Sequence, residues 1–291
     1  IFFVCFRGPA CPHRTMNDAV GQNGGMENLD GRVAVVTGAG SGIGRAISLA
    51  LAERGCAMAL VDVNQAGLDE TGALINTHAT THIADVSDRA RMSELPDEVV
   101  AAHGACNILV NNAGVTAAGR FEADDLDVLR WITDINVWGV VHGCHYFLPT
   151  LRKSDEAHIV NMSSMVAFVG LPQNAAYALS KGAVRSFTEA LRGELAGSTI
   201  GVTAVFPGSI RTNIMHAARG AESERLSAMA SSRLAPLILR PPSTVAKGVV
   251  RGIEHNRARV VVGLDARLLD ITARLVPGRT GLMGRVLDKL T

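Results

Sequence analysis

The stretch "RVAVVTGAGSGIG", residues 32–44, decides the fold of this chain. It opens with an apolar run rich in β-branched residues, which is typical of a strand buried on both faces of a parallel sheet. Four glycines then fall within residues 37–44, and "IGRAISLALAERG" (43–55) follows with the apolar spacing of a helix. A strand, a glycine-rich loop and a helix in this order form a site where a phosphate group contacts free main-chain amides.

Further strand-like and helical patterns alternate along the rest of the chain. Strands are predicted at 56–63, 81–86, 106–114, 157–164, 200–208 and 258–263, and helices at 65–75, 88–103, 125–151, 175–196 and 243–256. This alternation predicts an α/β fold, a single-domain doubly wound parallel sheet of Rossmann type with helices on both faces. We expect residues 26–263 to form this domain and 264–291 an amphipathic C-terminal extension. Residues 1–25 are interpreted as a disordered extension or a start-site artefact.

The composition excludes several classes of protein. The chain has 291 residues, a formal net charge of +1 and no basic stripe of the kind that binds nucleic acid. No apolar run reaches the roughly 18 residues expected of a membrane span. The five cysteines form no CxxC pair, and neither cysteines nor histidines have partners at metal-ligand spacing. We therefore expect a cytoplasmic protein that holds no metal ion and binds small molecules rather than nucleic acid.

The glycine loop and the end of the second strand together indicate a dinucleotide site. Gly38, Gly42 and Gly44 leave room for a pyrophosphate at the helix N-terminus, and Asp62 follows 18 residues after Gly44. A carboxylate at this place accepts hydrogen bonds from the adenosine ribose hydroxyls and repels a 2′-phosphate. No Arg or Lys lies in the loop before Gly44 or in "VDVNQ" (61–65), so NAD is favoured over NADP. The alternative is that Asp62 only caps its strand.

The spacing T-G-x-x-x-G-x-G, at Thr37, Gly38, Gly42 and Gly44, resembles the short-chain dehydrogenase/reductase family. Further motifs of that family follow in its order between residues 30 and about 263, among them "NNAG" (111–114), "YALSK" (177–181) and "PGSIRT" (207–212). A small departure is Asn107, where the family often carries Asp; this change affects loop packing rather than chemistry. The resemblance implies an NAD(P)-dependent oxidoreductase acting on CH–OH groups.

The resemblance also implies which residues contact the dinucleotide and which catalyse the reaction. The implied cofactor contacts are Thr37, Gly38, Ser41, Gly42, Ile43, Gly44, Asp62, Asp85, Val86, Asn112, Ala113, Gly114, Tyr177, Lys181, Pro207, Gly208, Ile210 and Thr212. The implied catalytic tetrad is Asn136, Ser164, Tyr177 and Lys181.

Tyr177 and Lys181 point to acid–base chemistry on physical grounds as well. They are four residues apart, so on a helix they share one face. An ordinary tyrosine has a pKa of about 10 and is a poor catalyst at neutral pH. A neighbouring ammonium and the positive nicotinamide ring favour the phenolate and lower this pKa. The alternative is a surface Tyr–Lys pair without a catalytic role.

Ser164 and Asn136 complete the predicted site. Ser164 ends a strand 13 residues before Tyr177, and its hydroxyl is placed to bind the reacting oxygen. Ser163 is the neighbouring alternative, which the strand pleat points the other way. Asn136 lies in an apolar helical stretch, where its amide must find partners. It either continues a proton relay through main chain and water to Lys181, or it only bonds a neighbouring turn.

Two segments are expected to border the substrate. Residues 165–173, "MVAFVGLPQ", lie between Ser164 and Tyr177 and are apolar, while 209–242 is the variable lid of the family. The substrate contacts predicted from these segments are Val166, Phe168 and Met215. An apolar alcohol or ketone is therefore the expected substrate.

The resemblance implies a homodimer or homotetramer that assembles through the helices at 125–151 and 175–196. The extension 264–291 carries arginines on the polar side of its first helix, and we expect it to dock on its own domain or on a partner subunit. A weak membrane-surface contact is the alternative for this extension. Two other functions remain open, namely a membrane-associated lipid or steroid reductase and a cofactor-binding regulator on the same fold.

Overall fold

The computed structural model describes residues 25–212, 218–224 and 239–276. The strands in these ranges are β1 Val33–Thr37, β2 Ala57–Asp62, β3 Ala79–Ile83, β4 Ile108–Asn111, β5 Ala157–Met162, β6 Ile200–Pro207 and β7 Arg259–Val262. The helices are α1 Gly42–Ala52, α2 Gln65–Ala73, α3 Arg89–His103, α4 Leu126–Thr133, α5 Gly139–Leu151, α6 Ala175–Glu194, α7 Pro242–Glu254 and α8 Leu264–Leu275. A π-helical turn, Asp134–Trp138, joins α4 to α5, and a short 3₁₀ helix, Met165–Ala167, follows β5.

The strands form one parallel sheet in the order β3-β2-β1-β4-β5-β6-β7. The chain runs outward from β1 in one direction and then returns to its other side at β4, so the order reverses between these two strands. In open sheets of this kind, ligands bind in the crevice at the carboxyl ends of the strands beside such a reversal. The predicted single-domain Rossmann-type fold is confirmed.

Two apolar layers cover the sheet, one on each face. Alternate residues of β1 face opposite sides, which is why this strand is apolar throughout: Val36 belongs to one layer and Val35 to the other. The first layer also takes side chains from α1 and α7, such as Ile47 and Val249. The second takes side chains from α3, α5 and α6, such as Phe147. Both layers hold the carboxyl ends of the strands in fixed positions.

The helix expected at 125–151 is not a regular α-helix throughout. Its middle residues, Asp134–Trp138, form a π-helical turn around the completely buried Asn136. The Asn136 side chain bonds the main chain of Val115, which lies outside the helix. The expectation of one uninterrupted helix is wrong at this turn, where an extra residue is accommodated, as is common at functional sites.

The C-terminal helix α8 docks on its own domain with most of its large apolar residues left outside. Ala266 is completely buried, Leu269 is half-buried, and the Asp265 carboxylate accepts a hydrogen bond from the main chain of Ser209. The other large apolar side chains of the helix are exposed: Leu264, Leu268, Ile271 and Leu275. Within the ranges that the structure describes, every helix is too short or too polar to cross a membrane. Residues 1–24 and 277–291 lie outside these ranges.

Candidate active site

A cavity of about 550 Å³ opens at the carboxyl ends of the strands. The loops after β1, β2, β3, β4, β5 and β6 all contribute to its wall. Most of the residues predicted from the sequence line it: Gly38, Ser41, Gly42, Ile43, Asp62, Asp85, Val86, Asn112, Ala113, Gly114, Ser164, Val166, Tyr177, Lys181, Pro207, Gly208, Ile210 and Thr212. This volume is within the range of small-molecule and cofactor sites, about 300–1,000 Å³.

The glycine loop lies directly against the loop that follows β4. A Cβ atom added to Gly38 would be 2.9 Å from the Ala113 Cα, and Gly38 has a φ of +67°. A Cβ atom at Gly44 would overlap the carbonyl oxygen of Gly38. Helix α1 begins at Gly42, and both Gly42 and Ile43, its first two residues, line the cavity. A helix N-terminus with a glycine at its first position is a favourable place for a phosphate group.

Asp62 connects the end of β2 to the glycine loop. Its Oδ2 atom accepts a hydrogen bond from the Gly40 main-chain N–H at 2.9 Å, and its Oδ1 atom accepts one from Asn64 N–H at 3.0 Å. The carboxylate therefore caps its own strand end and also lines the cavity. Each oxygen keeps a second acceptor position for a ligand hydroxyl.

Arg45 contacts the glycine loop and was not among the predicted site residues. Its guanidinium donates to the Gly40 carbonyl oxygen and the Thr71 hydroxyl, and it forms an ion pair with Glu70 at 2.7 Å. These contacts direct Arg45 towards α2, and it is not among the residues that line the cavity.

Thr37 and Gly44 support the cavity wall from behind. The Thr37 hydroxyl accepts hydrogen bonds from the main-chain N–H groups of Asn112 and Ala113, both at 3.0 Å, and the Asn112 side chain donates to the Thr37 carbonyl oxygen. Neither Thr37 nor Gly44 lines the cavity. In this structure Thr37 joins the β1 and β4 loops and Gly44 permits their close packing, while their direct contact with a dinucleotide stays a prediction.

Ser164 and Tyr177 meet at the cavity wall. Their side chains are hydrogen-bonded to each other, and the Ser164 Oγ atom also accepts the Val166 N–H. The Ser163 hydroxyl points to the other side and donates to the Lys181 carbonyl oxygen at 2.8 Å. The pleat of the chain after β5 thus separates the two serines, and Ser164 is the one beside the phenol.

The pKa of Tyr177 is raised in the protein without cofactor. Burial raises the pKa of this phenol, and the hydrogen bond from Ser164 only partly opposes the effect. The Lys181 ammonium lies 5.9 Å from the centre of the Tyr177 ring and donates to the Met162 carbonyl oxygen at 3.0 Å. In the protein alone this ammonium does not bring the Tyr177 pKa below its ordinary value. The expected lowering also requires the positive nicotinamide ring, so it stays a prediction for the cofactor-bound protein.

Lys181 is buried at the base of the cavity and is only 4% exposed. Burial lowers the pKa of its ammonium to about 8, because the charged form is the costlier one to remove from water. The side chain shares one face of α6 with Tyr177, as the four-residue spacing predicts. A cation that is easily neutralised therefore lies beside a phenol that is difficult to ionise.

Asn136 fixes the chain directly after "NNAG". Its Oδ1 atom accepts the Val115 N–H at 2.8 Å, and its Nδ2 group donates to the Val115 carbonyl oxygen and to the Ser180 hydroxyl. A Cβ atom at Gly114 would be 3.0 Å from Asn136 Oδ1 and 3.3 Å from Lys181 Nζ. Asn136 and Lys181 thus flank Gly114 on either side. The amide thus bonds main chain outside its own helix, and its part in a proton relay to Lys181 stays a prediction.

The three residues expected to contact the substrate differ in their position relative to the cavity. Val166 lines the cavity, and Met215 lies outside the described residues. Phe168 does not line the cavity: its ring packs on Phe206 with centroids 4.5 Å apart and also contacts the guanidinium of Arg259. The interpretation of Phe168 as a substrate contact is therefore corrected, since neighbours on β6 and β7 hold its ring away from the site.

Several cavity residues were not singled out from the sequence. They are Val63, Ala84, Val115, Thr116, Ile135, Met162, Met165, Leu171, Asn174 and Ser209. Most are immediate neighbours of motif residues, and Met165 and Leu171 fall within the apolar segment expected beside the substrate. Adjacency to a motif was the available signal, but it does not show which way a side chain points.

The fold and the cavity define an α/β protein with an open site at the reversal of its sheet and a tyrosine at the wall of that site. The sequence profile of the short chain dehydrogenase family matches residues 32–223. The chain therefore belongs to the short-chain dehydrogenase/reductase family of oxidoreductases.

Two relatives illustrate this membership. A protein named putative oxidoreductase SadH, from Mycobacterium tuberculosis, is 39% identical over 256 residues, which cover 86% of this chain and 93% of the relative. A probable oxidoreductase EphD from the same organism is 34% identical over 252 residues, which cover 83% of this chain and 43% of that longer protein.

Solved structures show the same architecture. A short-chain dehydrogenase/reductase from Burkholderia phymatum in complex with NAD has a TM-score of 0.78 and 30% identity, covering 88% of this chain and 96% of that one. Levodione reductase has a TM-score of 0.72 and 26% identity, and the match covers 82% of this chain and 98% of that one.

Proposed function

We propose that this protein transfers a hydride between NAD(H) and an apolar secondary alcohol or ketone, with Tyr177 as the acid–base catalyst. The observation that carries the proposal is the hydrogen bond between Tyr177 and Ser164 at the wall of a cavity that also contains Asp62 and the glycine loop. It joins a proton-transfer group to a dinucleotide site in one space.

The residues present fit a dinucleotide. Gly38 and Gly42 line the cavity without a side chain, and Gly42 is the first residue of α1. Asp62 and Asp85 line the part expected to hold the adenosine, and Thr212 the part expected to hold the nicotinamide. When bound, the cofactor supplies a hydride-accepting ring whose positive charge favours the phenolate form of Tyr177.

Tyr177, Ser164 and Lys181 have separate roles in the oxidation of the alcohol. Tyr177 takes the hydroxyl proton of the alcohol while the carbon loses its hydride, so that the C–O single bond becomes a carbonyl. Ser164 holds the reacting oxygen beside the phenol. Lys181 binds the ribose hydroxyls and thereby positions the ring, in addition to contributing its charge. Reduction of a ketone uses the same groups in reverse.

Asp62 supports NAD rather than NADP. Its carboxylate is held by the Gly40 and Asn64 amides at the place where an adenosine ribose would lie, and a 2′-phosphate there would meet a negative charge. Arg45, which lies beside the glycine loop, is engaged by Glu70 and the Gly40 carbonyl oxygen. The Burkholderia relative is itself described with NAD bound.

The substrate end of the cavity supports an apolar molecule. Met165, Val166 and Leu171 line it next to Tyr177, and Ile135 lies on its wall as well. These side chains offer apolar surface with few charges, which favours an uncharged alcohol or ketone over a phosphorylated one.

The test is a panel of hydrophobic secondary alcohols supplied with NAD⁺, with NADH formation followed by absorbance. Wild-type protein is compared with Tyr177→Phe, and each active alcohol is confirmed by isolating its ketone. The proposal requires at least one alcohol to be oxidised by the wild type and lost with the variant. Binding of NAD without turnover on any alcohol or ketone in either direction would instead favour a cofactor-binding regulator.

Exposed aromatic and apolar residues on two helices support a homodimer or homotetramer. Trp138, where the π-helical turn meets α5, is 54% exposed, and Leu179 on α6 is 52% exposed. Both lie in the helices expected to form a subunit interface. Light scattering coupled to gel filtration tests this assembly, and charged substitutions at Trp138 and Leu179 should shift it towards the monomer.

The exposed apolar side of α8 supports a second candidate, a membrane-associated lipid or steroid reductase. Leu264, Leu268, Ile271 and Leu275 recur at helical spacing and all face outward. Co-sedimentation with liposomes tests this candidate. Wild-type protein should pellet with the vesicles and Leu268→Glu should remain in solution.

A further inference from the structure

The loop that follows β6 is pinned by the C-terminal part of the chain at successive main-chain groups. Gly208 N–H donates to the Val262 carbonyl oxygen at 2.8 Å, at the end of β7. The Arg240 N–H donates to the Ser209 carbonyl oxygen at 3.0 Å, and Arg211 N–H donates to the Arg240 carbonyl oxygen at 2.8 Å. These three bonds join main chain to main chain, so no side-chain substitution removes them directly.

The N–H of Ser209 is held differently, by a side chain of α8. It donates to the Asp265 Oδ2 atom at 2.7 Å, and the Ser209 hydroxyl bonds the same carboxylate. Burial alone would raise the pKa of Asp265, but the hydrogen bonds from Ser209 and Ala266 and the charge of Arg240 outweigh it and hold this pKa below its ordinary value. The group is therefore a carboxylate at neutral pH, and its bonds to Ser209 are charge-assisted.

Two glycines make room for this carboxylate. A Cβ atom added to Gly208 or to Gly263 would overlap the Asp265 carboxylate. Gly263 also has a φ of +113°, a conformation that other residues avoid, and it directly precedes α8. The chain on both sides of Asp265 is thus shaped around its carboxylate. Asp265 lies outside residues 32–223, the part matched by the family profile.

Resting on the proposed function, we infer that Asp265 is a positioning residue that sets the conformation of the Gly208–Ser209 peptide for the nicotinamide half of NAD. A trans peptide directs its N–H and C=O groups in opposite directions. Holding the Ser209 N–H on α8 therefore turns the Gly208 carbonyl oxygen away from α8. Gly208, Ser209 and Ile210 all line the cavity, so the orientation of this peptide shapes the wall.

The same helix also contacts the other side of the substrate end, because α8 packs against the 3₁₀ helix Met165–Ala167. Met165 and Val166 line the cavity. Helix α8 therefore contacts two walls of the cavity, the Gly208–Ser209 segment and the 3₁₀ helix. Asp265 is the side chain through which α8 holds the Gly208–Ser209 segment. This arrangement links the C-terminal helix to the nicotinamide end and not to the adenosine end.

Binding of two nucleotides distinguishes this role from a general structural one. NAD⁺ and ADP-ribose share the adenosine and pyrophosphate, but ADP-ribose lacks the nicotinamide. Affinities for both are measured by titration calorimetry with the wild type, Asp265→Ala, Asp265→Asn and Asp270→Asn. Asp270 is the matched control, because it also lies on α8 but its carboxylate is paired with Arg259 and Arg274, whereas the Ser209 N–H is held by Asp265.

We expect Asp265→Ala to bind NAD⁺ about tenfold more weakly or worse, the usual effect of losing hydrogen bonds to a charged group, while its ADP-ribose affinity stays within about twofold. Asp265→Asn keeps one acceptor oxygen for the Ser209 N–H and should fall between the wild type and Asp265→Ala. If Asp265→Ala does not fold, Asp265→Asn carries the test alone. Asp270→Asn should bind both nucleotides as the wild type does.

An unchanged NAD⁺ affinity in both Asp265 variants would overturn the inference. So would an equal loss of NAD⁺ and ADP-ribose affinity, or the same loss in Asp270→Asn, since either result would mean that α8 acts only on general stability. A wild type that binds neither nucleotide would be a different failure: it would overturn the proposed function and, with it, this inference.

Discussion

The Asp62 carboxylate accepts a hydrogen bond from the main-chain N–H of Gly40 at 2.9 Å. This bond joins the end of β2 to the glycine loop after β1, so the residue proposed to select the cofactor also shapes the loop proposed to bind its phosphates. A substitution at Asp62 therefore has two effects, on charge and on loop geometry.

Asp62→Ala should erode the preference for NAD, and Asp62→Arg should favour NADP. The Ala variant loses both the repulsion of a 2′-phosphate and the bond to Gly40, so we expect NAD affinity to fall about tenfold. The measurement is kcat/KM with each cofactor at equal concentration. Asp69→Ala on α2, an exposed carboxylate bonded to Gln65, is the control. Faster turnover of the wild type with NADP than with NAD would sink the prediction.

Tyr177→Phe should abolish turnover and leave NAD bound. Phenylalanine keeps the ring and its packing but removes the hydroxyl that exchanges a proton with the substrate, and general acid–base catalysis is commonly worth about 10²–10⁴ in rate. Turnover and NAD affinity are both measured. Tyr146→Phe is the control, because Tyr146 is the other of the two tyrosines in the chain and its hydroxyl bonds Arg89 at the surface. A Tyr177→Phe variant with more than about a tenth of wild-type turnover contradicts the mechanism.

Lys181→Met should weaken NAD binding and turnover together while stabilising the fold at pH 7. Burial lowers the Lys181 pKa from 10.5 to about 8, so the folded protein carries a costly buried charge at neutral pH. Removal of this charge should raise the free energy of unfolding by about 1–3 kcal/mol. The hydrogen bond that Lys181 donates to the Met162 carbonyl oxygen is lost at the same time, which reduces this gain.

The stability difference between Lys181→Met and the wild type depends on pH, and the sign of this dependence follows from the lowered pKa of Lys181. Between pH 8 and 10.5 the unfolded chain still binds the proton and the folded protein does not, so the stability of the wild type rises with pH through this window. The advantage of Lys181→Met should therefore shrink above pH 8 in urea unfolding experiments. An advantage that is constant from pH 7 to 10 would show that the ammonium is not the cause.

His158→Gln should make the protein less sensitive to acid. His158 is buried on β5 and its Nε2 atom lies 2.8 Å from the Thr203 hydroxyl, which itself donates to the Arg257 carbonyl oxygen. Thr203 must then accept the Nε2–H of a neutral imidazole. Burial, reinforced by the charge of Arg192, lowers the His158 pKa from 6.5 to about 3.

Between pH 6.5 and about 3, His158 is protonated in the unfolded chain but not in the folded protein. The free energy of unfolding of the wild type therefore falls as the pH drops through this range, by up to about 1.4 kcal/mol per pH unit. Urea unfolding at pH 7, 6 and 5 should show a shallower loss for His158→Gln. The control is His145→Gln, at an exposed histidine on α5, which should follow the wild type. Equal slopes for all three proteins would refute the assignment.

Much of the fold followed from local patterns. The strand and helix predictions agree with the structure to within a few residues at most ends, because apolar periodicity and flanking glycines report directly on local geometry. The π-helical turn at Asn136 was not predicted, since it depends on the Val115 main chain, 21 residues earlier. The direction of Phe168 was missed for a similar reason: its partners Phe206 and Arg259 come from later strands.

The sequence by itself determined the features that depend on short-range stereochemistry. The glycines at 38 and 44 allow the close packing of the loop after β1, and the four-residue spacing of Tyr177 and Lys181 places both on one face of a helix. The tertiary structure alone decided the features that depend on how far water is excluded and which distant groups meet. These are the raised pKa of Tyr177, the lowered pKa of Lys181 and the contact of Asp265 with Ser209, 56 residues away. Desolvation and long-range hydrogen bonds arise only when separate elements pack together, so no local pattern encodes them.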